Sequence, residues 1–134
     1  MGRSTRTGSR GFTIIELMVV LALIVTLASL AMVQYRRSIV YSKEAVLRDD
    51  LTKMRDAIDQ YYADKNEYPA TLSALATDGY LRDIPKDPIT ESNSTWHEVP
   101  AEPDASNPKA GPGVYDVKSG SDGTALDGTR YSEW

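Results

Sequence analysis

From Phe12 to Val33 the chain is apolar at nearly every position, and Glu16 is the only charged residue in the run. At 1.5 Å per residue such a stretch spans roughly 33 Å as a helix, enough to cross the hydrocarbon core of a bilayer. Beyond it the pattern changes. Leu47, Leu51, Met54, Ile58 and Tyr61 recur at spacings of 4, 3, 4 and 3, while Arg48, Asp50, Lys53, Arg55, Asp56 and Asp59 take the other faces. That is the stripe of an amphipathic helix. Asp49 and Lys53 add an i,i+4 pair, worth a few tenths of a kcal/mol. Neither glycine nor proline occurs between Phe12 and Tyr68. The pattern therefore predicts one helix from about Phe12 to about Ala63, apolar all round over residues 12–33 and apolar along one stripe over residues 34–63.

Punctuation begins at Asn66-Glu67-Tyr68-Pro69, where the residue before proline is pushed out of the α region. Thr71–Thr77 predicts a short helix with Leu72 and Leu75 inward, stopped at Asp78-Gly79. Ile84-Pro85-Lys86-Asp87-Pro88 predicts a constrained loop able to lie across the stripe of the long helix. Thr95–Val99 and Val114–Lys118 alternate as strands do, and the Pro- and Gly-rich stretch 100–113 separates them as a surface loop. Trp96 is expected in the core, with His97 on the opposite face, and Trp134 back on the head or at a subunit contact. A head of residues 64–134 is small for an independent core, so it must borrow the helix stripe, and a bound metal would help it. The expected fold class is α+β: one long N-terminal helix packed on a small C-terminal head with a short antiparallel sheet and loops.

Composition narrows the chemistry. The 134 residues include 15 Lys and Arg against 19 Asp and Glu, a net charge of −4, with no cysteine and a single histidine. Disulfides, thiolate metal sites and iron–sulfur clusters are excluded. A Ser-His-Asp triad or a histidine-rich metal site is disfavoured. The acidic balance argues against nucleic acid as a partner.

Residues 1–11 are polar and carry Arg3, Arg6 and Arg10 with no acid. A secretory signal peptide would share the basic start, and Ser29 and Ala31 could pass for its cleavage site, but its apolar core is shorter. An ordinary single-pass anchor fits the length. It leaves Glu16 unexplained, because a carboxylate inside a membrane costs about 2.5–3.5 kcal/mol on insertion scales. Arg36, Arg37 and Lys43 follow the run as closely as the arginines precede it, so charge bias does not set the orientation.

Gly11, then Phe12-Thr13-Ile14-Ile15-Glu16-Leu17, then an apolar helix, resembles the class III signal of type IV pilins and type II secretion pseudopilins. The resemblance implies a leader of residues 1–11, cut by a prepilin peptidase between Gly11 and Phe12, and N-methylation of Phe12. It implies a periplasmic head and a cytoplasmic leader. Assembly would pair the Phe12 ammonium of one subunit with Glu16 of the next, each offsetting part of the other's desolvation. Many type IV pilins bend the apolar half at a proline. Val33 stands in that region here, which predicts a straighter or differently melted segment in the fibre.

The C-terminal stretch 115–134 carries two Asp-Gly turn signals, Asp122-Gly123 and Asp127-Gly128. Calcium takes six to eight oxygens from carboxylates and carbonyls in flexible loops. Asp122 and Asp127 could supply carboxylates, and Val117, Ser119 and Gly120 carbonyls; two ordinary turns read the same residues without a metal. The spacing is not that of an EF-hand. Tyr115-Asp116, Ser119-Gly120-Ser121-Asp122-Gly123, Asp127 and Trp134, together with Asn66–Pro69 and Asp83–Pro88, are similar to the major pseudopilins of type II secretion. That resemblance implies one Ca2+ in the C-terminal loop, although the stretch from Asp122 to Asp127 is shorter than usual and lacks the paired acids. Residues 91–112 match least.

Three functions are compatible with the sequence. The first is a non-enzymatic subunit of a periplasmic pseudopilus, anchored in the bacterial inner membrane before assembly. Its implied partners are copies of itself in a helical homopolymer, minor pseudopilins, the inner-membrane assembly platform and the prepilin peptidase. The second is a type IV pilin for adhesion or motility, many of which close a C-terminal disulfide that this chain cannot form. The third is a secreted or anchored periplasmic domain with an ordinary signal peptide, in which Glu98, Glu102 and Asp104 lie close enough to suggest a carboxylate pair for acid–base work, but their Pro-rich stretch favours a solvated acidic loop.

Overall fold

In the computed structural model, which describes residues 1–2, 10–108 and 110–134, the element order is α1 (Ile14–Lys65), α2 (Leu72–Thr77), β1 (His97–Pro100), β2 (Val114–Lys118) and a final 3-10 turn (Tyr131–Glu133). Two compact units are formed, residues 1–38 and residues 39–134, and α1 contributes to both. This is the α+β, pilin-like arrangement the sequence predicts. Arg3 and Arg6 of the expected leader lie outside the described residues.

In the first unit, α1 starts where a capping box allows it. The Thr13 N–H donates to Glu16 Oε2 and the Glu16 N–H donates to Thr13 Oγ1, each at 3.2 Å. Two of the orphan donors of the first turn are thereby satisfied. The apolar side chains of this half stay exposed all round, Phe12 at 90% and Leu27 at 67% for example. Thr26 and Ser29 return their hydroxyls to backbone carbonyls one turn earlier, so neither leaves an open donor in the apolar run. The helix is long and apolar enough to cross a membrane, by length and composition.

In the second unit the expected stripe is the floor of the core. Leu47, Leu51, Met54, Ile58 and Tyr61 are all buried, with Leu72, Leu75, Trp96, Val114, Val117 and Tyr131 packed in the same cluster. Each fully buried aliphatic side chain contributes about 1.5–3 kcal/mol. Tyr80, Leu81, Ile84 and Ile89 of the intervening loop close over it. α1 ends at Lys65 because Asn66 turns left-handed (φ 56°) while its N–H donates to the Tyr62 carbonyl at 2.7 Å, a common helix stop. Pro69 lies three residues further on and does not set the boundary.

β1 and β2 pair antiparallel, His97 with Lys118 and Val99 with Asp116, with an irregularity between Val99 and Pro100. β1 begins two residues later than the alternation predicts. Thr95 instead shares a hydroxyl hydrogen bond with Thr90 and donates to the Ser92 carbonyl, which holds it in the preceding turn. Trp96 is buried just before the strand, its indole N–H donating to the Pro85 carbonyl at 2.8 Å, and His97 is exposed.

Candidate functional site: the N-terminal motif and the C-terminal loop

Glu16 stands in the first turn of α1 and Phe12 lies two residues before the helix starts, both exposed. Glu16 uses Oε2 in the capping box. A carboxylate has about four lone-pair sites, so the cap leaves acceptor capacity for a cation from another molecule. Gly11 lies outside the helix, and nothing lies within 4 Å of the position its Cβ would take. Gly11 and Phe12, on either side of the expected cut, are both exposed.

The C-terminal loop is tied to α1 by side chains that belong to no sequence motif. Glu44, 8% exposed, accepts from the Leu126 N–H at 2.8 Å and the Tyr131 hydroxyl at 2.9 Å. Burial, and then this bond, push the Tyr131 hydroxyl up to about 12. Arg55 donates from Nε to Asp116 Oδ1 at 2.7 Å, and from Nη2 to the Val117 carbonyl at 3.0 Å and the main-chain oxygen of Trp134 at 2.5 Å. Arg48 lies 4.2 Å from the Trp134 ring centroid and 3.5 Å from Asp127 Oδ2. Glu44 had one sequence signal: it lies three residues before Leu47, in phase with the apolar stripe. A lone acid in that phase is a candidate for a buried, partnered group.

The expected calcium donors differ in their surroundings. Asp122, Ser119 and Gly120 line one open pocket beside Lys118 and His97. Val117 gives its carbonyl to Arg55 and lies in the core, fully buried. Asp127 Oδ1 accepts from the Thr129 N–H at 2.9 Å and its hydroxyl at 2.6 Å, which hold this carboxyl below its usual range. Ser119 donates its hydroxyl to the fully buried Asp87 at 2.5 Å. Among the described residues no three His, Asp or Glu side chains converge as metal ligands. Of the expected donors, Val117 and Asp127 already have protein partners, Arg55 for the first and Thr129 with Arg48 for the second.

Two other features have structural duties. Gly120 is required by close approach, because a Cβ there would collide with the Thr95 carbonyl oxygen. Glu98 accepts from the Leu72 N–H at 2.9 Å and so caps α2, whereas Asp104 accepts from the Ser106 N–H and hydroxyl.

Known proteins share the N-terminal motif and much of the sequence with this chain. A pattern described as the prokaryotic N-terminal methylation motif matches residues 6–32. The type II secretion system core protein G of Pectobacterium carotovorum subsp. carotovorum is 35% identical over 99 residues, covering 59% of this chain and 61% of that protein. The Klebsiella michiganensis protein of the same name is 32% identical over 99 residues, covering 62% of this chain and 70% of its own length. A fimbrial protein, EcpC of Eikenella corrodens, is 35% identical over 65 residues, covering 48% of this chain and 42% of that protein. No solved structure matches the chain. The chain thus spans a little under two thirds of the Pectobacterium relative and somewhat more of the Klebsiella one. With its methylation motif at the start of an apolar helix and an identity that runs well beyond that motif, the chain belongs to the type II secretion system core protein G family, the major pseudopilins.

Proposed function

We propose that this chain is the repeating structural subunit of a periplasmic type II secretion pseudopilus, whose growth drives export of folded proteins across the outer membrane. It is made with a leader, cut between Gly11 and Phe12, and methylated at Phe12. Before assembly it is a single-pass protein of the bacterial inner membrane with its head in the periplasm. Its partners are other copies of itself, minor pseudopilins, the prepilin peptidase and the inner-membrane assembly platform. It works by packing, and no step requires catalysis by its own residues.

One observation carries this reading: the methylation motif matches residues 6–32, the span in which Glu16 is the only acid beside an otherwise apolar run. A carboxylate in that setting needs a partner. The amino group created by a cut before Phe12 is a cation of matching depth. Between neighbouring subunits the pair lowers both desolvation costs and fixes the axial register, while the exposed apolar faces of α1 cover one another. A pilus for adhesion or motility is the second reading, supported by the similarity to the Eikenella fimbrial protein.

The test is a secretion-competent strain carrying Glu16→Ala in place of the native chain. The expected result is a processed subunit that stays in the membrane, with no fibre and no secretion. Normal assembly and secretion would overturn the role of Glu16. Surface fibres in the wild-type strain, with secretion unaffected by deletion of the chain, would favour the pilus.

A further inference from the structure

The C-terminal loop needs something to hold it, since it is a run of turns with few core residues of its own. Two guanidinium groups on α1 already occupy the positions from which it can be held. Arg55 reaches three acceptors, Asp116 Oδ1, the Val117 carbonyl and the Trp134 main-chain oxygen, at 2.7, 3.0 and 2.5 Å. Arg48 covers the Trp134 ring and faces Asp127. Glu44 takes the Leu126 N–H and the Tyr131 hydroxyl from the same helix. Trp134 is fixed further by its indole N–H to the Thr129 hydroxyl at 2.7 Å and by a T-shaped contact with Tyr131 at 5.2 Å.

We propose that Arg48 and Arg55 do for this loop what a divalent cation would do elsewhere, so that the head folds and its C-terminal segment stays latched with no calcium bound. The chemistry follows from the acceptors. A calcium ion needs six or more oxygens, and here a fixed cation already engages Val117 and Asp116, while Thr129 and Arg48 engage Asp127. A metal placed among these oxygens would lie beside a guanidinium of like charge. A planar guanidinium with five N–H donors suits several converging oxygens, and unlike a bound metal it cannot dissociate.

The experiment is thermal melting of the full-length processed chain in detergent, followed by the fluorescence of Trp96 and Trp134, in EGTA and in millimolar CaCl2, together with calorimetric titration by CaCl2. The wild-type midpoint is expected to be the same in both buffers, with no saturable heat of calcium binding. Arg55→Gln is expected to lower the midpoint by roughly 5 °C or more, equally in both buffers, and Arg55→Lys to recover only part of that loss. A wild-type midpoint that falls in EGTA and returns with calcium would overturn the proposal, with no variant needed. So would an Arg55→Gln chain that melts like the wild type.

Discussion

Thr13 and Glu16 cap each other across the first turn of α1, with both hydrogen bonds at 3.2 Å. The helix therefore begins just past the expected cut, and Glu16 has a duty within its own chain besides the proposed one between subunits. The two duties separate by mutation. Glutamine preserves the capping-box geometry without the charge, so Glu16→Gln should leave the helix start intact and still abolish fibre assembly. Thr13→Ala should cost about 0.5–2 kcal/mol at the helix end and leave assembly largely intact. Shearing fibres from cells and blotting for the subunit distinguishes them.

Glu44 satisfies two donors from the C-terminal loop. Glu44→Leu would continue the apolar stripe, yet it strips the Leu126 N–H and the Tyr131 hydroxyl of their partner. An unsatisfied buried group costs about 1–3 kcal/mol, so a lower melting midpoint is expected despite the gain in hydrophobicity. Adding Tyr131→Phe to Glu44→Leu should cost less than the two changes summed, and a double-mutant cycle by thermal denaturation measures that coupling.

Gly120 leaves no room for a side chain against Thr95. Gly120→Ala is expected to destabilise the head by about 1–3 kcal/mol, as overpacking does. Gly111→Ala is the matched control, since nothing lies within 4 Å of its added Cβ. Equal melting midpoints for the two variants would contradict the packing at Thr95.

Alkaline pH should loosen the latch. The Tyr131 hydroxyl is pushed up to about 12 by burial and by its bond to Glu44, whereas an unfolded tyrosine titrates near about 10. Stability is intact below roughly pH 10 and falls as pH rises toward about 12, because over that window the unfolded chain has released a proton that the folded chain still holds. Tyr68 and Tyr80 are shifted in the same direction and add to the slope. Tyr131→Phe should flatten the dependence measured by melting between pH 9 and 12.

What was legible in the sequence was whatever has a period or a local signature. The stripe from Leu47 to Tyr61 told both the helix and the face it buries, and the two strands followed from alternation. Boundaries were less legible because local caps set them: Asn66 at positive φ ends α1 ahead of Pro69, and Thr95 bonds into a turn in place of joining β1. The latch was not legible, because Arg48 and Arg55 look like solvated helix charges until the chain brings Asp116, Asp127 and Trp134 to them from more than sixty residues away. The Asp-Gly turns are local signatures of another kind. They show which carboxylates sit in turns, and say nothing of which cation they face.

The most direct measurement of the central claim is the intact mass and N-terminal sequence of the chain recovered from membranes. The account predicts a chain beginning at N-methylated Phe12. A chain still beginning at Met1 in cells with an active prepilin peptidase, or one beginning just beyond Ala31, would contradict it.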